Sequence, residues 1–188
     1  MTTPFEAATD IFEAAHPILK IHGFGGSRWC RDVASGSRIG PWLEASYSIL
    51  DEKAWKSKGP CLYLVRGDDK RIRYVGISRN GVKHRWRLSP ALDAETKRPL
   101  AKRQLFHSQC WKHMELEYQN APGVQFEVRF IGGESLARVL SKTEGPLRGF
   151  LPLADDHEGL TSAVERWLCN NKSKDLVSWN SAMTGKGK

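Results

Sequence analysis

Cys61-Leu62-Tyr63-Leu64-Val65, followed by Gly67-Asp68-Asp69 and then Arg71-Ile72-Arg73-Tyr74-Val75, is the stretch that decides the fold. Its first five residues are apolar and rich in β-formers, the middle three carry turn chemistry, and the last five alternate between charged and apolar side chains. This pattern predicts a β-hairpin. A loop of even length centred on Asp68-Asp69 sets Tyr63 directly opposite Tyr74 on one face of the sheet, whereas a slip of one residue would separate them.

Downstream, Ser78 and Asn80 are helix-capping types, and Val82, Arg85 and Trp86 share one face of a helix that begins near residue 80 and ends at Ser89-Pro90. A polar stretch with Pro99 leads to a helix through Leu100, Leu105, Cys110 and Met114. Val124 to Ile131 reads as a third strand, entered after Pro122-Gly123 and left at Gly132-Gly133. Ser135 to Ser141 reads as helix, Gly145 to Gly159 as loop, and Ala163 to Leu168 as part of the last substantial helix. Upstream, Thr3-Pro4-Phe5-Glu6 combines an N-cap, a proline at the first helical position and a capping-box glutamate, opening a helix through Ile11, Phe12 and Ala15. Residues 22–40, with five glycines, read as an irregular loop. Its run His22-Gly23-Phe24-Gly25-Gly26 is rejected as a phosphate cradle, because no clear strand precedes it and no Lys-Ser/Thr follows. Pro41 opens a second helix with Trp42, Ser46, Ile49 and Leu50 on one stripe, broken between Lys56 and Pro60. The expected fold is α/β in the α+β sense, a small three-stranded, mostly antiparallel sheet flanked by helices. Residues 1–58 form an N-terminal helical extension, 59–183 the main domain and 184–188 a disordered tail.

Composition agrees with a folded chain of this kind. The 188 residues are 40% hydrophobic and 27% charged, which excludes collagen-like, disordered and membrane-spanning classes. A chain of this length buries roughly two-thirds of its unfolded surface and needs no disulfide or metal staple. Cys30, Cys61, Cys110 and Cys169 form no CxxC pair, so a reducing, cytoplasmic setting is expected. The N-terminus lacks a cationic segment followed by an apolar one, and no run of 18 apolar residues occurs, so neither secretion nor a membrane partner is expected. Lys and Arg number 29 against 21 Asp and Glu, a net charge of +8 that suits a polyanionic partner. The excess concentrates in Arg79, Lys83, Arg85, Arg87, Lys97, Arg98, Lys102 and Arg103. A solvated helix face is the competing explanation of that cluster.

Two cross-strand tyrosines on a half-buried sheet ordinarily signal aromatic packing. Their surroundings add a second reading, since Tyr63 and Tyr74 precede a cation-rich helix with Arg85, and a later helix supplies Glu165. Phenols, a guanidinium and a carboxylate are the parts an in-line phosphodiester cleavage requires: a base for water, a cation beside the developing charge, and a ligand for a divalent metal. His107, Cys110 and His113 fall about 60° apart around a helix, which permits only partial convergence on a metal, and a buried edge with hydrogen-bonded histidines explains them better. Trp29, Trp111, Trp167 and Trp179 read as core anchors.

These residues resemble the GIY-YIG nucleases. Cys61-Leu62-Tyr63 stands for the first element with only its tyrosine kept, and Tyr74-Val75-Gly76 for the second. Ser78 to Trp86 is similar to the family's arginine-bearing helix, Ala163-Val164-Glu165 with Trp167-Leu168 to its glutamate segment, and Asn180 to its closing asparagine. The resemblance covers residues 60–181. It implies that Tyr63 is the general base, assisted by Tyr74 or by charge from Arg85, Lys70 or Arg73. It further implies that Arg85 neutralises the phosphorane, and that Glu165 holds one Mg²⁺ or Mn²⁺, leaving 5′-phosphate and 3′-hydroxyl ends. Lys70, Arg73, Arg79, Lys83, Arg87, Lys102, Arg103 and Asn180 are the expected nucleic-acid contacts. Ser89 stands where many members carry His or Tyr, with His84, Arg87 or His107 as substitutes for that role. Glu165 also completes a capping box with Ser162, unless Asp155 or Asp156 starts the helix earlier, and Asp155, Asp156 and Glu158 are the reserve carboxylates. With neither a long linker nor a second domain after the motif, the layout is most similar to type II restriction enzymes of that family. The expected partner is double-stranded DNA, cut by a homodimer. A stand-alone phage or mobile-element nuclease and a noncatalytic nucleic-acid-binding module are the alternatives.

Overall fold

The computed structural model describes residues 2–31, 38–86, 92–93 and 110–180. In chain order these form α1 (Pro4–Ala14), β1 (His16–Arg31), β2 (Arg38–Ile49), α2 (Glu52–Trp55), β3 (Cys61–Gly67), β4 (Ile72–Ser78), α3 (Val82–Arg85), β5 (Leu92–Asp93), α4 (Trp111–Asn120), β6 (Phe126–Gly132), α5 (Gly133–Leu140), a 3₁₀ helix (Pro146–Leu153) and α6 (His157–Asn170). The sheet runs β2-β1-β6-β3-β4, with β5 pairing onto β1. β3 is central and antiparallel to both β4 and β6.

The α+β class expected from the sequence holds, and the hairpin strands with β6 are its three expected strands. The sheet is larger, because the segment read as an N-terminal helical extension is helical only in α1 and α2. Residues 22–40 were expected as loop and the run from Pro41 as helix, yet most of both is strand. Glycines suggested a loop, but Gly23 lies close against the Tyr118 ring, where a Cβ would come within 3.2 Å of the phenol oxygen. In β2, burial alternates: Ala45 is buried, Tyr47 and Ile49 are intermediate, and Ser46 and Ser48 are exposed. Pro41 falls in β2, the last strand of the sheet, the kind of strand to which prolines in sheets are largely confined. The stretch from Gly145 to Gly159, expected as loop, holds the 3₁₀ helix and the start of α6. The expected disordered tail lies outside the described residues.

The described residues divide into two compact units, one of residues 2–20, 49–84 and 126–180, the other of residues 21–31, 38–48, 85–86, 92–93 and 110–125. In the second unit Tyr118 of α4 stacks obliquely on Phe24 at 5.2 Å. There the Leu43 N–H donates to the Glu115 carboxylate at 3.0 Å, and Ile21, Ala45, Trp86, Cys110 and Met114 are buried.

In the first unit the hairpin register departs from the expected one. The Lys70 N–H donates to Gly67 O and the Gly67 N–H to Arg71 O, each at 3.1 Å, while Lys70 adopts φ of 68°. The loop is therefore three residues, a turn followed by a left-handed position, and not an even-length one. An irregularity between Val65 and Arg66 adds a second offset, so Tyr63 pairs with Gly76 and Tyr74 with Val65. Two single-residue offsets restore the pleat, and both rings stay on one face.

Alternation turns Leu62, Leu64, Val75 and Ile131 to the other face, where α1, α5, the 3₁₀ helix and α6 close the main core. Leu160, Val164 and Leu168 form the buried stripe of α6, each contributing about 1.5–3 kcal/mol on burial. The capping box of α1 forms as expected, with the Thr3 N–H donating to Glu6 Oε2 at 2.7 Å. The Phe12 ring of α1 is clasped by Arg66 at 4.0 Å and Arg129 at 4.5 Å, and both guanidiniums also pair with Glu13. The outer edge of β4 is covered by residues 176–180. Leu176 bridges in parallel to Ile72, the Val177 N–H donates to Ile72 O at 2.6 Å and the Trp179 N–H to Arg73 O at 3.0 Å. An exposed edge would template pairing with another chain, and this strap removes it.

Candidate functional site

Tyr63 and Tyr74 stand third in β3 and β4. Their ring centroids are 6.1 Å apart with planes inclined by 30°, and they are 1% and 7% exposed. The seat is specific to glycine: a Cβ on Gly76 would lie 2.5 Å from Tyr63 Cζ and Oη, and 2.9 Å from Tyr74 Cε1. Tyr74-Val75-Gly76 therefore acts as a unit, its glycine leaving room for the first tyrosine.

Glu165 lies in the middle of α6. The helix is capped by Asp156, whose carboxylate accepts the Gly159 N–H at 2.9 Å. The Ser162 capping box is thereby ruled out, and Glu165, 9% exposed, is not a cap residue. α6 packs on β3 and β4, with Val164 and Leu168 in the core shared with Leu62, Leu64 and Val75. That is the face opposite the phenols. α6 and the two rings therefore flank the hairpin from opposite faces. One turn on, burial pushes the Cys169 thiol up to about 11, and the Glu165 charge adds to the rise.

Of the expected cations, Arg85 ends α3 and is exposed, whereas Val82 and Trp86, expected on its face, are fully buried. Lys70 and Lys83 are exposed. Arg73 is the extra residue of the bulged strand, 7% exposed, and its Nη2 donates to Asp69 Oδ2 at 2.8 Å. That bond ties Arg73 to the turn of the hairpin. Burial pushes the Asp69 carboxyl up, but hydrogen bonds from Arg73 and Arg71 outweigh it, and the net shift is downward. Arg79 is exposed and pairs with Glu158 at 2.6 Å, a contact no sequence pattern announced. Arg87, Ser89, Lys102, Arg103 and His107 lie outside the described residues, as do the side chains of His84, Trp29 and Trp111.

Asn180, another of the expected nucleic-acid contacts, lies against the edge of β4. At 9% exposure, its Oδ1 accepts the Val75 N–H at 3.0 Å and its Nδ2 donates to Val75 O at 2.8 Å. Both side-chain polar atoms serve the edge of β4. Trp167 packs on the core as expected, and Trp179 meets Phe126 edge-on at 5.5 Å. Of the series His107, Cys110 and His113, Cys110 is buried and His113 exposed, so the buried edge expected there holds at Cys110 and not at His113. Among the described residues no group of three or more His, Cys, Asp or Glu is gathered for a metal ion. A single buried glutamate fits the way Mg²⁺ is commonly held, by one or two carboxylates with waters and substrate oxygens.

Comparison with protein-family models, with curated proteins and with solved structures returns no match for this chain. Among the described residues no helix is long and apolar enough to cross a membrane.

Proposed function

We propose that the chain is a metal-dependent endonuclease of the GIY-YIG kind that hydrolyses phosphodiester bonds of double-stranded DNA, laid out like a type II restriction enzyme and acting as a homodimer. The observation that carries this reading is the seating of Tyr63 over Gly76 beside Tyr74. It gives the tyrosine and glycine of the second motif a joint physical task, holding one phenol in a fixed position on the hairpin. In this reading Tyr63 takes the proton of the attacking water, with Tyr74 coupled to it, and Arg85 neutralises charge on phosphorus. Glu165 would hold Mg²⁺ or Mn²⁺, which supplies charge stabilisation at the leaving 3′-oxygen. The net charge of +8 supports a polyanionic substrate.

The noncatalytic binding module is favoured by one observation, that α6 and the phenols lie on opposite faces of the hairpin. Incubating the protein with plasmid and Mg²⁺ and sequencing the ends decides between them. The nuclease reading expects 5′-phosphate and 3′-hydroxyl termini, lost in Glu165→Ala and in Tyr63→Phe while circular dichroism and DNA binding persist. A folded Glu165→Ala protein that cuts at more than about a tenth of the wild-type rate overturns the metal assignment, because losing the ligand should cost several kcal/mol of transition-state stabilisation. Binding without cleavage by the wild type selects the noncatalytic module.

A further inference from the structure

Arg79 directly follows β4, and its Nε lies 2.6 Å from Glu158 Oε1 in the first turn of α6. The two side chains are 75% and 46% exposed. The backbone beneath Arg79 is pinned: Ser78 Oγ donates to Gly81 O at 2.7 Å, and Gly81 takes φ of +88° with no room for a Cβ against the Ser57 carbonyl. A fixed base thus presents an exposed cation whose partner is an exposed carboxylate.

We infer that Glu158 acts as an internal stand-in for phosphate, holding Arg79 until a backbone phosphate of the nucleic acid displaces it. An exposed ion pair contributes little net stability, so the exchange is easily made. A phosphodiester offers the guanidinium the same pair of anionic oxygens and adds the entropy of counterion release, which the intramolecular pair lacks. Glu158 then sets an affinity threshold, tempering binding to any polyanion that does not present a phosphate at this position. This inference rests on the nuclease reading.

A double-mutant cycle tests it, with binding of a fluorescent duplex measured in about 0.1 M salt and the fold of each variant checked by circular dichroism. Glu158→Gln should tighten binding about threefold or more, and Arg79→Ala should weaken it about fivefold and flatten the slope of log K against log salt by nearly 1. In the Arg79→Ala background, Glu158→Gln should change affinity less than about 1.5-fold, since the carboxylate then has nothing to withhold. Tightening of equal size in both backgrounds would show a general charge effect and overturn the inference alone. A wild-type chain that binds no duplex even at low salt overturns the nuclease reading and this inference with it.

Discussion

Asn180 faces Val75 with both of its polar atoms, so a side-chain amide completes the β4 edge in the way a neighbouring strand would. Val75 is fully buried, and without the amide its N–H and C=O have no water to turn to. Asn180→Leu should therefore destabilise the fold by about 1–3 kcal/mol for each orphaned group, read as a lower urea midpoint. Asn180→Asp should lie between, keeping the acceptor and losing the donor. Unchanged stability with weakened DNA binding in Asn180→Leu would instead make the residue a nucleic-acid contact.

The clasp around Phe12 makes stability depend on acid. The Arg66 hydrogen bond holds the Glu13 carboxyl below its ordinary value of 4.5, with Arg129 adding to the effect, and Asp69 is likewise held below 3.8. Groups with depressed values contribute stability that is complete above the unfolded values and lost as pH falls through the folded ones. The urea midpoint should be flat from pH 7 to about 5 and decline below about 4.5. Glu13→Gln should lower the midpoint at pH 7 and shrink the drop on acidification. An undiminished drop in that variant would mean the acid sensitivity arises elsewhere.

What the sequence made legible was local. The hairpin, the strand before Gly132-Gly133, the α1 capping box and the helix around Glu165 all follow from short-range period and cap chemistry. The register did not, because one odd-length loop and one bulge each move the pairing by a residue, and neither Asp68-Asp69-Lys70 nor Val65-Arg66 announces this. β1 and β2 were missed because their glycines and Pro41 carry loop and helix signals in isolation, whereas the pairing that makes them strands joins segments the local pattern does not connect. The Arg79–Glu158 pair and the Asn180 strap join positions far apart in sequence, beyond the reach of any periodicity. For the candidate site, residue types were readable, whereas the side of the hairpin on which Glu165's helix docks was not.

Thiol chemistry reports on Glu165 without any assay of cleavage. Burial pushes Cys61 up to about 12 and Cys169 up to about 11, the latter with a contribution from the Glu165 charge. At pH 8 both thiols are almost wholly protonated and should react with an aromatic disulfide far more slowly than a free cysteine. Glu165→Gln should speed labelling of Cys169, located by peptide mapping, by a factor of about two or more and leave Cys61 unchanged. Millimolar Mg²⁺ should do the same in the wild type if the carboxylate holds the cation. Equal acceleration at both cysteines would signal loosened packing instead, and no response to Mg²⁺ would count against Glu165 as the ligand.

Gly76→Ala separates the phenol seat from the chemistry that surrounds it. Its methyl group would fall 2.5 Å from the Tyr63 phenol and 2.9 Å from the Tyr74 ring, on a face where both rings are buried. One of them must tilt or the strands must part, an overpacking that should cost about 1–3 kcal/mol of stability. Tyr74 sits opposite Val65 on the hairpin's far diagonal and Tyr63 directly opposite the mutated position, so Tyr63 takes most of the displacement. A misplacement on the order of 1 Å at a proton-transfer group should lower single-turnover cleavage by about 10²-fold. The companion variant Tyr63→Phe/Gly76→Ala should be no slower than Tyr63→Phe alone, because the methyl then displaces a ring that has no proton to exchange. If Gly76→Ala folds and cuts at the wild-type rate, the Tyr63 phenol is packing only, and the base lies elsewhere.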